Sequence, residues 1–163
     1  MFAKSITANP RRAGDLDRDD DDDADSWLFM DAPHLRKVET NMLPKNLFLP
    51  WHQLLSLTSV NTPLGSLDCL RQCPNLVDCD LHLFDDNPAP GPPIPGVARL
   101  SQLQQLAIEV EGDADLRPIF DGLEVPTLKN FHVTQHRFQA QWPQQQFLSL
   151  IDRSSCALTK LDF

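Results

Sequence analysis

Apolar residues recur in one short pattern along the last four-fifths of the chain. Each copy holds an apolar residue, two free positions, an apolar residue, one free position and a third, mostly apolar residue. Six copies follow one another at uneven spacing, at residues 35–40, 54–59, 76–81, 103–108, 128–133 and 158–163. One copy could arise in any amphipathic strand, but six in order indicate an internal repeat.

Each copy predicts one short β-strand. The last two apolar positions are two residues apart, so both side chains lie on one face and the residues between them on the other. Thr40 and Ser59 are weaker inward residues than Leu, so the first two copies fit the pattern least well. We expect the central apolar residues to lie in consecutive parallel strands: Val38, Leu57, Cys79, Leu106, Phe131 and Leu161.

Helical spacing appears between the strands, where the chain must return to start the next one. Three stretches place apolar residues three or four positions apart, which predicts helices with one buried face. Pro74 should end the first, and Pro118 and Pro143 fit only near a helix start. The predicted inward residues are Leu64, Leu67, Leu70 and Cys73; Leu116, Ile119, Phe120 and Leu123; and Phe147, Leu148, Leu150 and Ile151.

Strands alternating with helices, each too small to bury its own apolar face, are typical of a leucine-rich-repeat solenoid. The sequence therefore predicts an α/β fold with about six short parallel strands on the concave side and helices or irregular segments on the convex side. We assign residues 27–163 to this domain and expect its repeats to be incomplete at the C-terminus.

Charge is concentrated before the repeats. Residues 15–25 hold eight Asp and one Arg, so they carry −7 of the formal net charge of −9. Residues 1–26 are therefore predicted to form a disordered acidic tail, and a bait for a basic partner or a sink for divalent ions is the alternative. The remaining chain is nearly neutral, which argues against nucleic acid or a membrane surface as partner.

A proline-rich loop at residues 87–96 holds five of the fourteen prolines. We interpret it as an extended bridge within one repeat, with a ligand for an SH3-type domain as the alternative.

The chain shows no signal-like apolar stretch near Met1 and no run long enough to span a bilayer. Cys69, Cys73 and Cys79 occupy apolar positions, with Cys156 close to the last copy, and we expect all four to be free thiols rather than disulfides. These features predict an intracellular protein, cytoplasmic or nuclear.

Catalytic and metal-binding patterns are weak. The sequence lacks a glycine-rich phosphate loop and a Gly-x-Ser-x-Gly elbow. His132 and His136 have zinc-like spacing but fall on and just after a strand, and Cys79 with His82 has no second pair of ligands. Asp78 and Asp80 should be solvated. We therefore expect no enzyme activity, cofactor or metal.

The outward positions of the predicted strands form a mixed polar strip, which suits a protein partner better than a polyanion. Ordinary solvated strand positions are the alternative interpretation. Trp51 and Trp142, each beside a proline, are either binding anchors or, as we prefer, caps over the core. The predicted partner-binding residues are Lys37, Glu39, Thr58, Asp78, Asp80, His82, Gln105, Glu109, Asn130 and His132.

Four phrases carry a family resemblance: LFMDAPHLRKVET with LFLPWHQLLSLTSV, LDCLRQCPNLVDCDL, VPTLKNFHV and WPQQQFLSLIDRSSCALTKLDF. Over residues 27–163 the chain resembles the repeat region of fungal F-box-like proteins, especially those of mushroom-forming basidiomycetes. The resemblance implies a substrate receptor, in which an F-box docks to a cullin-type ubiquitin ligase and the repeats select the protein to be ubiquitinated. An Asp run stands where the F-box is expected, so we do not expect this chain to bind a ligase adaptor by itself.

The function expected from the sequence is thus that of a protein–protein interaction module. The alternative is a structural or non-functional fragment that self-associates through an open sheet edge near Leu161 and Phe163. The sequence does not name the partner.

Overall fold

The computed structural model describes residues 7–8, 32–41, 49–85, 96–135 and 142–163. Strands and helices alternate along much of this chain. The strands are β1 (Thr7–Ala8), β2 (Lys37–Thr40), β3 (Ser56–Asn61), β4 (Asp78–Phe84), β5 (Ala98–Arg99), β6 (Gln105–Glu111), β7 (Leu123–Glu124), β8 (Asn130–Gln135) and β9 (Lys160–Asp162). The helices are α1 (Pro63–Gln72), α2 (Arg117–Gly122) and α3 (Gln144–Ser154), with a 3₁₀ turn at Trp51–Gln53.

Seven strands form one parallel sheet in the order β1-β2-β3-β4-β6-β8-β9. The six predicted copies supply β2 to β9 of this sheet, and their predicted order is confirmed. The central apolar residues stand directly opposite one another in consecutive strands, in the order Val38, Leu57, Cys79, Leu106, Phe131 and Leu161. The sheet is therefore built by stacking equivalent copies in one register.

The copies are equivalent down to their backbone hydrogen bonds. In each of the first five, the carbonyl of the residue after the leading Leu accepts two consecutive N–H groups from the next copy. These bonds measure between 2.8 and 3.2 Å, and the accepting carbonyls belong to Arg36, Leu55, Val77, Gln104 and Lys129. The leading Leu itself donates its N–H to the carbonyl three residues earlier, as in Leu76 to Cys73 at 3.2 Å. The chain thus enters each strand through the same turn.

Side-chain amides and hydroxyls reinforce this stacking just before the leading Leu. Gln53 donates to the Ala32 carbonyl at 2.6 Å, and Asn75 donates to the His52 carbonyl at 2.6 Å. Thr127 donates to the Ser101 carbonyl at 3.0 Å. Each bond crosses from one copy to the turn of an earlier one, so polar side chains satisfy loop carbonyls that strand pairing leaves open.

Burial alternates along the strands as the pattern predicts. Leu81, Ile108 and Val133 follow the central residues on the inner face and are buried. Thr40 and Ser59, the weakest inward residues of the pattern, are buried as well. The Ser59 hydroxyl has no hydrogen-bond partner among the described residues, and such an unsatisfied group costs about 1–3 kcal/mol. The packing of the neighbouring copies therefore keeps Ser59 buried despite its polar side chain.

The three predicted helices are confirmed and pack side by side against the inner face. Helix α1 begins where Thr62 Oγ1 accepts the Gly65 N–H at 3.2 Å, with Pro63 in its first turn. Gly122 lets α1 and α2 approach, because a Cβ there would lie 2.8 Å from Leu67 Cδ1. The small residue thus sets the spacing of the helix layer.

Three predicted inward residues are not buried: Leu161 and Phe163 in the last copy are 45% and 71% exposed, and Leu148 on α3 does not face the core. Leu148 is 55% exposed, whereas Phe147 and Leu150 are buried and Ile151 is partly buried. At 100° per residue, Phe147, Leu150, Ile151 and Ser154 share one stripe of α3, and Leu148 falls on its flank. The helical period therefore places Leu148 outside the buried face of α3, although its side chain is apolar.

An aromatic cluster closes the core between α2, β8 and α3. Phe120 meets Phe131, Phe147 and Trp142 with ring centroids 6.1, 5.7 and 5.4 Å apart. Trp142 also meets Phe163 at 5.0 Å. Such pairs add about 0.5–1.5 kcal/mol beyond the buried area, so the rings reinforce the packing of α2, β8 and α3.

The predicted thiols are confirmed as free cysteines, with Cys69, Cys73 and Cys79 buried and Cys156 partly buried. Burial raises the pKa of Cys69 to about 11 and that of Cys73 to about 12. Both thiols are therefore protonated near neutral pH and serve as small apolar residues.

Short additions lie outside the predicted pattern. β5 and β7 pair in parallel as a second, two-stranded sheet beside the helices. Thr7–Ala8, within the segment predicted to be an acidic tail, pairs in parallel with β2. The rest of that tail, and residues 87–95 of the proline-rich loop, lie outside the described part of the chain. Within that part, no helix is long and apolar enough to cross a membrane.

Arg153 joins α3 to the end of α2. Its Nη2 donates to the Phe120 carbonyl at 2.6 Å and to the Leu123 carbonyl at 2.7 Å, and its Nε also donates to Leu123 at 3.1 Å. The carbonyls at a helix C-terminus lack intrahelical partners. The guanidinium therefore supplies donors that α2 needs at its C-terminal end.

Replacing Arg153 with Met keeps the aliphatic stem but removes these donors. We expect the free energy of unfolding to fall by about 2 kcal/mol, because hydrogen bonds from charged groups contribute about 1.5–3 kcal/mol. Urea denaturation measures the change. Arg99→Met is the control, since Arg99 is 68% exposed and pairs only at the surface with Glu124; equal losses in the two variants would contradict this role.

Candidate functional site

The face of the main sheet that points away from the core is called here the outer face. Strand register arranges its side chains in three rows that cross the strands. The first row is Lys37, Ser56, Asp78, Gln105, Asn130 and Lys160. The second is Glu39, Thr58, Asp80, Ala107, His132 and Asp162, and the third is Val60, His82, Glu109 and Thr134.

All ten predicted partner-binding residues lie on this face. They are half-buried or exposed, in contrast to the buried residues that alternate with them. The structure therefore brings together, in three adjacent rows, side chains that are up to 95 positions apart in the sequence, from Lys37 to His132. The alternation of each strand and the shared register are sufficient to do this.

A shallow groove of about 560 Å³ runs across the strands between the first two rows. It extends from Ser56 and Thr58 on β3 to Lys160 and Asp162 on β9. Ala107 lies near its middle, between Asp80 and His132 in the second row, and its methyl group leaves the groove open there. Ala107, Ser56, Lys160 and Asp162 were not among the ten predicted residues; only the register shows that they line the same groove.

An ion pair between a lysine and a carboxylate lies at each end of the first two rows. Lys37 Nζ lies 2.6 Å from Glu39 Oε1, and Lys160 Nζ lies 2.7 Å from Asp162 Oδ2. In both pairs the partners are two residues apart on one strand and therefore point the same way. Each lysine is thus neutralised by its own strand.

Two imidazoles join neighbouring strands. His82 Nδ1 lies 2.8 Å from Glu109 Oε2 on the next strand, and its Nε2 lies 3.7 Å from Asp80 Oδ1. His132 Nε2 is 2.9 Å from Thr134 Oγ1, and its Nδ1 is 3.7 Å from Asp162 Oδ2. The outer face therefore carries fixed polar pairs.

Thr134, His132 and Asp162 follow the order hydroxyl, imidazole, carboxylate that nucleophilic catalysis uses. The imidazole–carboxylate distance of 3.7 Å exceeds a hydrogen bond, and Lys160 holds the carboxylate instead. The His132 side chain is also 51% exposed. These three side chains therefore do not form a connected hydroxyl–imidazole–carboxylate chain.

Asp78 differs from the solvated carboxylate that was predicted. Its Oδ1 is buried and has no hydrogen-bond partner among the described residues, whereas the Asp80 side chain is 47% exposed. In the first row, Asp78 on β4 lies between Ser56 on β3 and Gln105 on β6. One carboxylate oxygen in the groove is therefore left without a donor.

The weak metal-binding pairs are not assembled. Cys79 lies on the inner face and His82 on the outer face of β4, and His136 lies outside the described residues. Within the described ranges, no group of three or more His, Cys, Asp or Glu is placed to hold a metal ion.

The two tryptophans pack against the core and remain partly exposed. Trp142 also borders a second groove of about 500 Å³, with Arg117, Gln135 and Gln144. Its ring contacts with Phe120 and Phe147 favour the role of a cap.

Comparisons of the chain with protein-family models, with curated proteins and with solved structures found no match.

The Lys160–Asp162 pair yields a direct electrostatic prediction. A hydrogen bond from Lys160 holds the pKa of Asp162 below its ordinary value, with the nearby charges of Lys160 and His132 acting in the same direction. Lys160→Met removes the cation that stabilises the carboxylate, so the pKa of Asp162 should rise. Carboxyl NMR titration measures it. Lys129→Met, which removes only a contact to Gln104, should leave it unchanged; an equal pKa in all three proteins would contradict the pairing.

Proposed function

We propose that this chain is a protein-recognition module of the leucine-rich-repeat type, with the outer face as its concave binding surface. The equivalence of the copies supports this proposal: each of the first five begins with the same turn and accepts the next copy through the same pair of backbone hydrogen bonds. A fold assembled from stacked copies presents one long face formed by every strand.

The observation that carries the functional proposal is the groove across the first two rows. The outer-face side chains that line it come from five strands, lie outside the core and, apart from Ala107, are polar. Carboxylates and the His132 imidazole are mixed there with amides and hydroxyls, which suits the directional contacts of a polypeptide. A polyanion would instead require a basic surface.

The resemblance to F-box-like proteins suggests a more specific role. In that family the repeats select the protein that a ubiquitin ligase modifies. We propose the corresponding task for this chain, namely recognition of a protein substrate, without docking to the ligase by this chain itself.

Filling the groove tests the proposal. In Ala107→Phe a ring occupies the middle of the second row, while the strand keeps its backbone and gains a residue that strands accommodate. Peptides selected against the wild-type chain from a random display library should bind this variant at least about tenfold more weakly, a loss of about 1.4 kcal/mol. Fluorescence anisotropy measures the affinity.

Ala157→Phe is the matched control, because Ala157 is exposed in the turn before β9 and lies outside the groove. Both variants should keep the thermal midpoint of the wild type. Selected peptides that bind Ala107→Phe as tightly as Ala157→Phe would contradict a binding role for this groove.

A second candidate is self-association through β9. Leu161 and Phe163 are 45% and 71% exposed, and the described residues place no strand on the far side of β9. Exposed strand edges of this kind pair readily with other chains. The two candidates differ in the surface they use.

Sedimentation velocity over a range of concentrations tests self-association. We expect the average mass of the wild type to rise with concentration and Leu161→Lys to abolish the rise. Leu148→Lys changes an equally exposed leucine on α3 and should not. A wild type that stays monomeric throughout, or equal effects of the two variants, would remove this candidate.

A further inference from the structure

We propose that the occupant of the groove is an extended peptide segment rich in Lys or Arg. This inference rests on the proposed function and adds the chemistry of the partner. Its basis is the distribution of charge over the outer face, which the overall composition does not reveal.

The four central strands of the sheet, β3, β4, β6 and β8, have no Lys or Arg on their described outer face. They carry four carboxylates there, all on β4 and β6: Asp78, Asp80, Glu109 and Glu111. The only basic groups on these strands are the imidazoles of His82 and His132. The mixed strip expected from the sequence is therefore acidic in its centre.

The lysines at the two ends do not offset this charge. Lys37 and Lys160 lie on the first and last of the six predicted strands and are held by Glu39 and Asp162 at 2.6 and 2.7 Å. A cation that is already paired contributes little to the field several strands away, because solvent and salt screen exposed charges. Of the four central carboxylates, Asp78 and Asp80 line the groove, and the described outer face of β3, β4, β6 and β8 places no Lys or Arg beside them.

Asp78 and Asp80 are the groove carboxylates that most lack hydrogen-bond donors. They are two residues apart on β4 and point into the groove from the same side. Asp78 Oδ1 is buried without a hydrogen-bond partner in the described part of the chain, and Asp80 has only His82 at 3.7 Å. An ammonium or guanidinium group placed between them would form charge-assisted hydrogen bonds with both.

The groove also has the dimensions of a short peptide. It crosses five strands, β3 to β9, which span about 19 Å at about 4.8 Å per strand spacing. An extended chain covers this span in about six residues, at about 3.3 Å per residue. Small side chains at Ser56, Thr58 and Ala107 leave room for a backbone along it.

Phe84 lies on the same outer face but outside the groove, two rows beyond Asp80. It is partly exposed on the outer face of β4 and stands opposite Glu111 on β6. An aromatic ring beside carboxylates can hold the aliphatic stem of a lysine or the plane of a guanidinium.

A short fluorescein-labelled peptide in which Lys alternates with Ser tests the inference, with a matched peptide that has Glu in place of Lys. Binding is measured by anisotropy at physiological ionic strength with the full chain. Asp78→Asn/Asp80→Asn should weaken the Lys peptide at least about tenfold, since close charge pairs couple strongly across interfaces. Asp121→Asn/Asp152→Asn removes the same charge from exposed positions on α2 and α3 and should leave the affinity within about twofold.

The Asp121→Asn/Asp152→Asn control distinguishes binding in the groove from general attraction of the Lys peptide to an acidic chain, including its Asp run. Equal losses in the two double variants, or equal affinity for the Lys and Glu peptides, would overturn the inference. Random display peptides distinguish this failure from failure of the proposed function. Selected peptides without excess Lys or Arg that still lose affinity in Ala107→Phe would leave the binding groove intact and remove only its basic partner.

Discussion

Parallel pairing of backbone groups between successive copies holds the strands of this protein in one register, and the other features described here depend on that register. A single carbonyl at the start of each strand accepts two N–H groups from the next copy, so neither the turn nor the strand can slip independently. A shift of one residue would exchange the inner and outer faces of a strand. Leu57 would then face solvent, and Thr58 would enter the core.

The same register creates the outer face. Charged residues that are distant in sequence become neighbours across strands, as His82 and Glu109 do, while those two apart on one strand pair locally, as Lys160 and Asp162 do. Pairing within one strand neutralises Lys37 and Lys160 at the two ends of the outer face, so the carboxylates of β4 and β6 determine the charge at its centre. The binding proposal and its basic partner are both consequences of this arrangement rather than of net charge.

The sequence pattern predicted the strand order and all three helices, because apolar periodicity reports directly on which face is buried. It also placed Asp80 and His132 on the face that lines the groove. It failed at Leu148, which was assigned to the core because it is apolar, although the helical period places it on the side of the buried stripe. It also missed β5 and β7, which are only two residues long. The free oxygen of Asp78 and the open centre at Ala107 depend on neighbours from other strands, so no single segment could reveal them.

The register itself is open to direct measurement by nuclear Overhauser spectroscopy of the backbone protons. The account predicts cross-peaks of a parallel sheet that link Val38 to Leu57, Leu57 to Cys79, and so on through Leu106 and Phe131 to Leu161. Cross-peaks that join non-consecutive copies, such as Leu57 with Leu106, or an antiparallel pattern between any two of them, would contradict it.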